Sequence, residues 1–401
     1  MSVSALPRTA HWLTEERIRV YSAIVLAVFA IGYVALVAMS LPDLVDPRGK
    51  PFGYDFMAFW SAARLALAGQ PAAAFDAAAI SAVQHAAVPA RPDIWFPWHY
   101  PPTALLAALP LGLMPYPAAL VVFTAASCAL WATLVRRLFT DPRAWLVAAA
   151  APAGLFNLFD GQNAFLTVAL AGFALLWLDR RPVVAGVLIG LLAIKPHLAV
   201  LFPVALIVGG YWRVFISAAV TLAVFVAASL AVLGGDAIVA FLGHLGVSQE
   251  MANQGAVPWA WMPSVYVLAL SLGAPPALAG WAQGAAALAA AASVWCLWRR
   301  PLAPFEAKAA SLLAASLLVS PYLFTYDQVW IAVAIAFLVI LGLRDGFRRG
   351  ERDLLFAAWV APFAFVPVFW LTGMQIGCAA PAVVLALALR RASAAPSFLS
   401  R

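Results

Sequence analysis

The sequence predicts an all-α, polytopic integral membrane protein, and three observations carry that reading. Of its 401 residues, 65% are hydrophobic and only 10% are charged, where a soluble domain carries about 25% charged residues. So little polar surface cannot cover a water-soluble fold of this size. The apolar residues lie in long runs broken by short polar or proline-rich segments, and the basic residues gather at alternate breaks.

The first run, from Val20 to Leu41, is about as long as the roughly 20 residues a spanning helix needs, and longer than a signal-peptide core. It reads as a retained first span behind a tail over residues 1–19. Further runs follow near 103–135, 144–159, 163–178, 183–194, 197–210, 213–233, 263–298, 308–320, 327–343, 354–371 and 374–389. The runs at 103–135 and 263–298 are long enough for more than one helix. Several others are short of a full crossing and read as half-helices or re-entrant pieces. Together they predict roughly 10–12 transmembrane helices in one domain over 20–391, with a second tail over 392–401.

Basic residues set the expected orientation. Arg8, Arg17 and Arg19 precede the first span. Arg136, Arg137 and Arg143, then Arg180 and Arg181, then Arg213, mark later breaks. Arg299, Arg300, Lys308, Arg344, Arg348, Arg349, Arg352, Arg390, Arg391 and Arg401 complete the set. Alternating spans place these 19 of the 24 basic residues on one side. The positive-inside rule makes that side, and both termini, cytoplasmic. A net charge of +7 therefore points to a lipid bilayer as partner and not to nucleic acid. The three cysteines, Cys128, Cys296 and Cys378, sit in apolar runs without metal spacing and suggest no disulfide framework.

The opposite face receives the segments 42–102, 160–163, around 234–262, 321–327 and 372–374, which hold nearly every unusual polar or proline motif. In the first, Asp55 to Gly69 reads as an amphipathic helix with apolar Phe56, Phe59, Trp60, Ala63 and Leu67, lying in the membrane interface. Ala72 to Ala87 reads as a second such helix. Asp55 stands at the start of the first, and two readings stay open for it: a helix N-cap or a base. Arg64, nine positions on, lies roughly half a turn round from it. The run Trp95-Phe96-Pro97-Trp98-His99-Tyr100-Pro101-Pro102 fixes the backbone before a span begins. Its aromatics, Tyr100 among them, suit a membrane-interface belt or a stacking surface for a sugar.

Asp160-Gly161-Gln162-Asn163 is either a tight turn or a pair of amide side chains, Gln162 and Asn163, offered to sugar hydroxyls. Lys195-Pro196-His197 breaks the run from 183 to 210 near the top of an excursion that goes up and returns. A lysine there is costly unless it meets water, an anion or a carboxylate, so Lys195 either neutralises a phosphate or snorkels to the surface. Ser320-Pro321 leads to Tyr326-Asp327, where Asp327 is a second carboxylate or a second cap. No P-loop, dinucleotide fingerprint, Cys-x-x-Cys or His-Glu-x-x-His occurs. Asp43 and Asp46 are three apart, so no Asp-x-Asp motif supports a metal-dependent sugar-nucleotide site.

Several of these segments, in this order, resemble glycosyltransferase family 87. They are Asp55-Phe56 with Phe59-Trp60-x-Ala62-Ala63, Tyr100-Pro101-Pro102 with Pro110-Leu111 and Pro115, and Gly161-Gln162-Asn163. Ala185-Gly186-Val187-Leu188-x-Gly190-Leu191 with Lys195-Pro196, and Tyr211-Trp212-Arg213, complete the likeness, which runs from about 54 to 330. The resemblance implies a GT-C type fold. It implies transfer of a hexose, typically mannose, from a polyprenyl-phosphate donor to a glycolipid or glycan acceptor on the non-cytoplasmic face. It also implies an inverting mechanism without metal or other cofactor, and Asp55 matches the aspartate taken as the catalytic base. On that expectation Lys195, Arg64 and His197 meet the leaving phosphate, Tyr100, Gln162 and Asn163 meet sugar, and Asp327 binds a hydroxyl or holds Lys195. One departure is clear: Tyr326 and Asp327 stand where members often carry histidine, which bears on the donor sugar and on the leaving phosphate. The alternative is a transporter or flippase of a polyprenyl-linked or amphiphilic substrate, built around the same broken helix.

Overall fold

The computed structural model describes residues 12–41, 43–91, 93–255 and 257–392. The predicted tails over 1–19 and 392–401, with Arg8 and Arg401, therefore lie largely outside the described residues. Helix accounts for 75% of the structure, and no strand occurs among the described residues. In chain order the helices are α1 (Glu15–Ser40), α2 (Phe56–Leu67), α3 (Ala77–Ala87), α4 (Pro102–Gly112), α5 (Tyr116–Leu138) and α6 (Pro142–Ala149). There follow α7 (Pro152–Phe159), α8 (Ala164–Leu176), α9 (Pro182–Leu191), α10 (Phe202–Val208), α11 (Trp212–Leu233) and α12 (Gly235–Asn253). The last are α13 (Val265–Ser271), α14 (Pro276–Trp298), α15 (Phe305–Val319), α16 (Val329–Asp345), α17 (Glu351–Thr372) and α18 (Ala379–Ala392).

Proline sets many of these boundaries. α4, α5, α6, α7, α9, α10 and α14 carry one in the first turn, where the missing N–H removes no intrahelical bond. The same prolines cut the longer apolar runs into pieces. Among the described residues six helices are long and apolar enough to cross a membrane: α1, α5, α11, α14, α16 with the turn before it, and α17. Six shorter apolar helices, which include α2, α4 and α8, pack among them. The chain is thus a polytopic, all-helical membrane protein. The expected 10–12 spans resolve into these two length classes.

The core lies around α8, α15 and α16, buried on nearly every face. α1 and α11 turn Ile24, Val28, Ile31, Ile216, Val220 and Val224 outward, as lipid-facing helices do. α9 reaches α11 closely because it is glycine there. A Cβ on Gly186 would stand 2.5 Å from the Val214 carbonyl oxygen, and one on Gly190 2.5 Å from Thr221 Cβ. Small residues let membrane helices meet at this range.

Polar groups collect at two ends. At one, Arg344 pairs with Glu306 and Asp345, Arg391 with Glu351, and Arg143 with Glu15. These belong to the segments that charge alone grouped together. The other end holds Asp55, Gln162, Lys195 and Asp327. Along α16 and the turn that leads into it, 17 positions and about 25 Å separate Asp327 from Arg344.

Two expectations change. The stretch around 234–262 holds a 19-residue helix, α12, where a loop was expected. Gly234, at φ 77, turns the chain out of α11, and apolar Ala237 to Val247 then packs on the first outer segment. The first helix of that segment, α2, has nine of its twelve residues buried and shows little of a polar face. Ala58, Ser61, Ala62 and Ala63 are small enough for α4 and α3 to enclose it. α3 keeps the two-faced character, burying Ile80 and Gln84 and exposing much of the rest.

Candidate active site

Asp55 occupies the N-cap position of α2 but does not cap it. Its backbone is already helical, φ −63 and ψ −23, and its side chain makes no cap hydrogen bond. Capping needs an extended backbone that folds the side chain onto the first turn. Here the first-turn donors are already taken: Phe56 N–H by the Gly53 carbonyl at 2.8 Å, and Met57 N–H by the Tyr54 carbonyl at 2.9 Å. A tight turn with Tyr54 at φ 41 supplies those acceptors. It is pinned by Asp46, which accepts from the Tyr54 hydroxyl and from the backbone N–H groups of Arg48 and Lys50. The cap reading of Asp55 is therefore corrected, and its carboxylate is left for other partners.

That partner is Gln162. Its Nε2 donates to Asp55 Oδ2 at 2.8 Å and to the Tyr326 hydroxyl at 3.1 Å. Its Oε1 accepts from the Tyr100 hydroxyl at 3.0 Å and from Asn163 N–H at 3.1 Å. The loop that presents it is closed by Asn157, whose carbonyl accepts from Gln162 N–H and whose side chain accepts from Ala164 N–H. Gly161, at φ 60, lies so close to the Asp55 turn that a Cβ would stand 2.6 Å from the Gly53 carbonyl oxygen. Only glycine permits that approach.

Lys195 ends the first half of its excursion at the Pro196 break, with the freed Ala193 carbonyl accepting from the Thr103 hydroxyl. Its ammonium is buried and paired with buried Asp327 at 2.5 Å. The cation stands 4.9 Å from the Tyr326 ring centre and 5.9 Å from that of Tyr100. Asp327 also accepts from Phe324 N–H at 3.3 Å, so it serves both as a cap and as the lysine's partner. Asp55, Tyr100, Gln162, Lys195, Tyr326 and Asp327 thus form one cluster from five separate segments.

Electrostatics distinguish the carboxylates of the loops. Burial pushes the Asp55 carboxyl above the usual carboxylate range, opposed by the Gln162 hydrogen bond and by the charges of Lys195 and Lys50. Asp160 is pushed up further, by burial and then by the nearby charge of Asp55. Two carboxylates close together in a half-dry site resist joint ionisation.

Three expected residues stand differently. Asn163 gives its backbone N–H to Gln162, while its buried side-chain oxygen has no partner among the described residues. His197 is half-buried beside Lys195 with Nε2 unpartnered. Arg64 is not brought to the cluster. It lies about 13 Å along α2 from Asp55, exposed, donating to the Gly112 carbonyl at 3.2 Å and standing over Trp60.

Asp160, Lys50 and the imidazole pair His99–His244 were not singled out by sequence. Asp160 carried a signal, a carboxylate between two apolar runs. The histidines carried none, because their ring nitrogens, 3.1 Å apart, join residues 145 positions distant. Burial, and then the neighbouring His244, lower His99 to about 4. Among the described residues no three His, Cys, Asp or Glu side chains come together as a metal site needs.

The sequence model of glycosyltransferase family 87 matches residues 98–321. The chain belongs to that family. No curated protein and no solved structure matches it. The protein is a membrane glycosyltransferase, with a sugar donor and an acceptor as its substrates. The matched span contains Tyr100, Gln162 and Lys195. Asp55, Tyr326 and Asp327 lie outside it and meet it in space, through Gln162 and Lys195. The cluster thus brings a carboxylate, Asp55, and a buried cation, Lys195, together across the edge of the matched span.

Proposed function

We propose that this glycosyltransferase moves a hexose, mannose by the family resemblance, from a polyprenyl-phosphate donor to a glycolipid or glycan acceptor. The transfer takes place on the non-cytoplasmic face of the cell membrane and inverts the anomeric carbon. In this reading one GT-C type transmembrane domain over 20–391 carries the site, and both termini are cytoplasmic. The observation that carries the reading is the Asp55 carboxylate. It is released from capping, held through Oδ2 by Gln162 and left with Oδ1 uncommitted, beside the Lys195–Asp327 pair.

The acceptor hydroxyl gives its proton to Asp55 Oδ1 as its oxygen bonds the anomeric carbon. The bond from that carbon to the phosphate oxygen breaks, and its electron pair leaves on the polyprenyl phosphate. A carboxylate raised above its usual range is a better base near neutral pH. Lys195 has three N–H donors, and one is committed to Asp327. The other two meet the phosphate, where charge develops. The Tyr326 hydroxyl accepts from Gln162 and keeps its own proton for the same phosphate or for the sugar. Asn163 offers its side-chain oxygen to a sugar hydroxyl, and Tyr100, its ring centre 5.9 Å from the Lys195 ammonium, and His197, two positions beyond that lysine, serve the same substrate.

The test offers purified protein in proteoliposomes polyprenyl-phosphate mannose, polyprenyl-phosphate glucose and nucleotide-linked hexoses, with membrane lipid extract as acceptor. Mass spectrometry and NMR of the product are the readout. The reading expects transfer from a polyprenyl-phosphate donor with inverted configuration. Transfer from nucleotide sugars alone, or with retention, would overturn it.

A further inference from the structure

A glutamine amide has two N–H donors and a carbonyl with two lone pairs. In Gln162 all four are committed within the protein. The donors go to Asp55 Oδ2 and the Tyr326 hydroxyl, and the carbonyl accepts from the Tyr100 hydroxyl and Asn163 N–H. The side chain is 3% exposed, which leaves no water to fill a broken bond. Its direction is fixed as well. Flipping the amide would set its NH2 group against the Asn163 N–H and its carbonyl against the Asp55 carboxylate. Both contacts would be repulsive, and one of those partners is backbone that cannot turn away. Gln162 therefore has nothing left to offer a sugar hydroxyl, contrary to the expectation from its place in a polar turn.

We propose that Gln162 is a positioning residue for the transfer reaction, holding one oxygen of Asp55 so that the other faces the acceptor hydroxyl, and that it does not bind sugar. The proposal rests on the reading of Asp55 as the base. Gln162 sits on a loop that its own neighbours lock. Asn157 closes the loop at both Gln162 N–H and Ala164 N–H, and Gly161 presses it against the Gly53 carbonyl. The amide thus carries the rigidity of that loop to a carboxylate whose own turn comes from a different part of the chain. Tyr100 and Tyr326 grip the amide from two further segments. A charged side chain left with one hydrogen bond and a fixed backbone still swings about its Cα–Cβ and Cβ–Cγ bonds. A partner immobilised by three other contacts removes that freedom, and a misplacement of about 1 Å costs on the order of 100-fold in rate.

Two variants test this. Gln162→Glu keeps the shape and the acceptor oxygen but sets a second carboxyl against Asp55 Oδ2. Gln162→Met keeps the bulk and removes every hydrogen bond. Both are expected to lower kcat about 10- to 100-fold, with KM for donor and acceptor within about threefold of wild type. Gln162→Met moves the acidic limb of the kcat/KM profile upward by about one pH unit, because Asp55 loses a hydrogen bond to its charged form, and Gln162→Glu displaces it by making Asp55 share a proton with a second carboxyl. A raised KM with an unmoved acidic limb overturns the proposal in favour of direct sugar binding. Infrared titration of the carboxyls, with Asp55→Asn assigning the band, follows the same shift without turnover. An Asp55 titration that is identical in wild type and both variants also overturns it. If Asp55→Asn proves active, the functional reading fails. The titration then still decides whether Gln162 holds Asp55.

Discussion

Two buried ion pairs stand at opposite ends of this protein, and they are built differently. At the basic end, Arg391 donates through Nε to Glu351 Oε1 at 2.6 Å and through Nη2 to Oε2. Both partners are also tied to neighbouring backbone: Arg391 Nη2 reaches the Gly346 carbonyl at 2.8 Å, and Glu351 accepts from Arg348 N–H at 2.8 Å. That pair is a two-pronged clamp between α17 and α18. At the other end, Lys195 meets Asp327 through one contact, and two of its donors have no hydrogen-bond partner among the described residues. Aromatic rings and a polar network surround it instead. A buried pair joined by two charge-assisted bonds and tied to backbone on both sides holds structure. One with donors to spare, flanked by a free carboxylate oxygen, is open to a ligand.

The largest expected effect separates the two pairs directly. Removing one partner of a buried pair costs about 3–5 kcal/mol, so Arg391→Ala and Lys195→Ala both lower the melting temperature of detergent-solubilised protein. The Arg391→Ala protein that remains folded keeps the wild-type kcat. Folded Lys195→Ala loses on the order of 100-fold or more in transfer from a polyprenyl-phosphate donor, the scale of a lost donor to developing charge. Lys195→Ala with Asp327→Ala melts higher than either single variant, since no lone charge is left buried, and is still inactive. Equal activity losses at the two ends would erase the distinction.

A smaller effect sharpens it through pH. Burial raises the folded-state Asp55 carboxyl above its ordinary value. The folded state thus favours the protonated form. Stability is fully present below the unfolded-state value of about 3.9 and declines as pH rises through the raised folded value. Asp55→Asn is therefore expected to melt higher than wild type at pH 7 and at about the same temperature near pH 4. A lower melting temperature at pH 7 would mean that the carboxylate supports the fold after all. The smallest effect belongs to Arg64→Ala. Its guanidinium is committed to the Gly112 carbonyl and Trp60, away from the cluster. Its loss is expected to change kcat/KM by less than about threefold.

The fold was legible wherever it depends on local composition. Proline breaks and apolar runs marked most helices, and arginine clustering grouped the segments that meet at the basic end. α12 escaped notice because glycines and scattered polar residues interrupt its apolar stretch. α2 looked two-faced in sequence because small residues such as Ala58 and Ala62 do not announce that a neighbour will cover them. At the site, the residue types were legible but their partners were not. A carboxylate beside aromatics and a lysine at a helix break carry a visible cost, and Asp327 was readable as a partner for Lys195. The task of Gln162 was not readable. It depends on which way an amide turns between residues 107 and 164 positions away in the chain. Arg64 shows the reverse, a cation close to Asp55 in sequence that the helix carries away from it.

In the proposed mechanism Asp55 accepts the acceptor's proton in the transfer step. Single-turnover transfer from radiolabelled polyprenyl-phosphate mannose in proteoliposomes tests it most directly, comparing wild type with Asp55→Asn at equal folded protein. The Asp55→Asn chemical step is expected to be slower by about 100- to 10,000-fold, the range for a lost general base, with donor binding retained. A variant that transfers at a rate within a few-fold of wild type would contradict it.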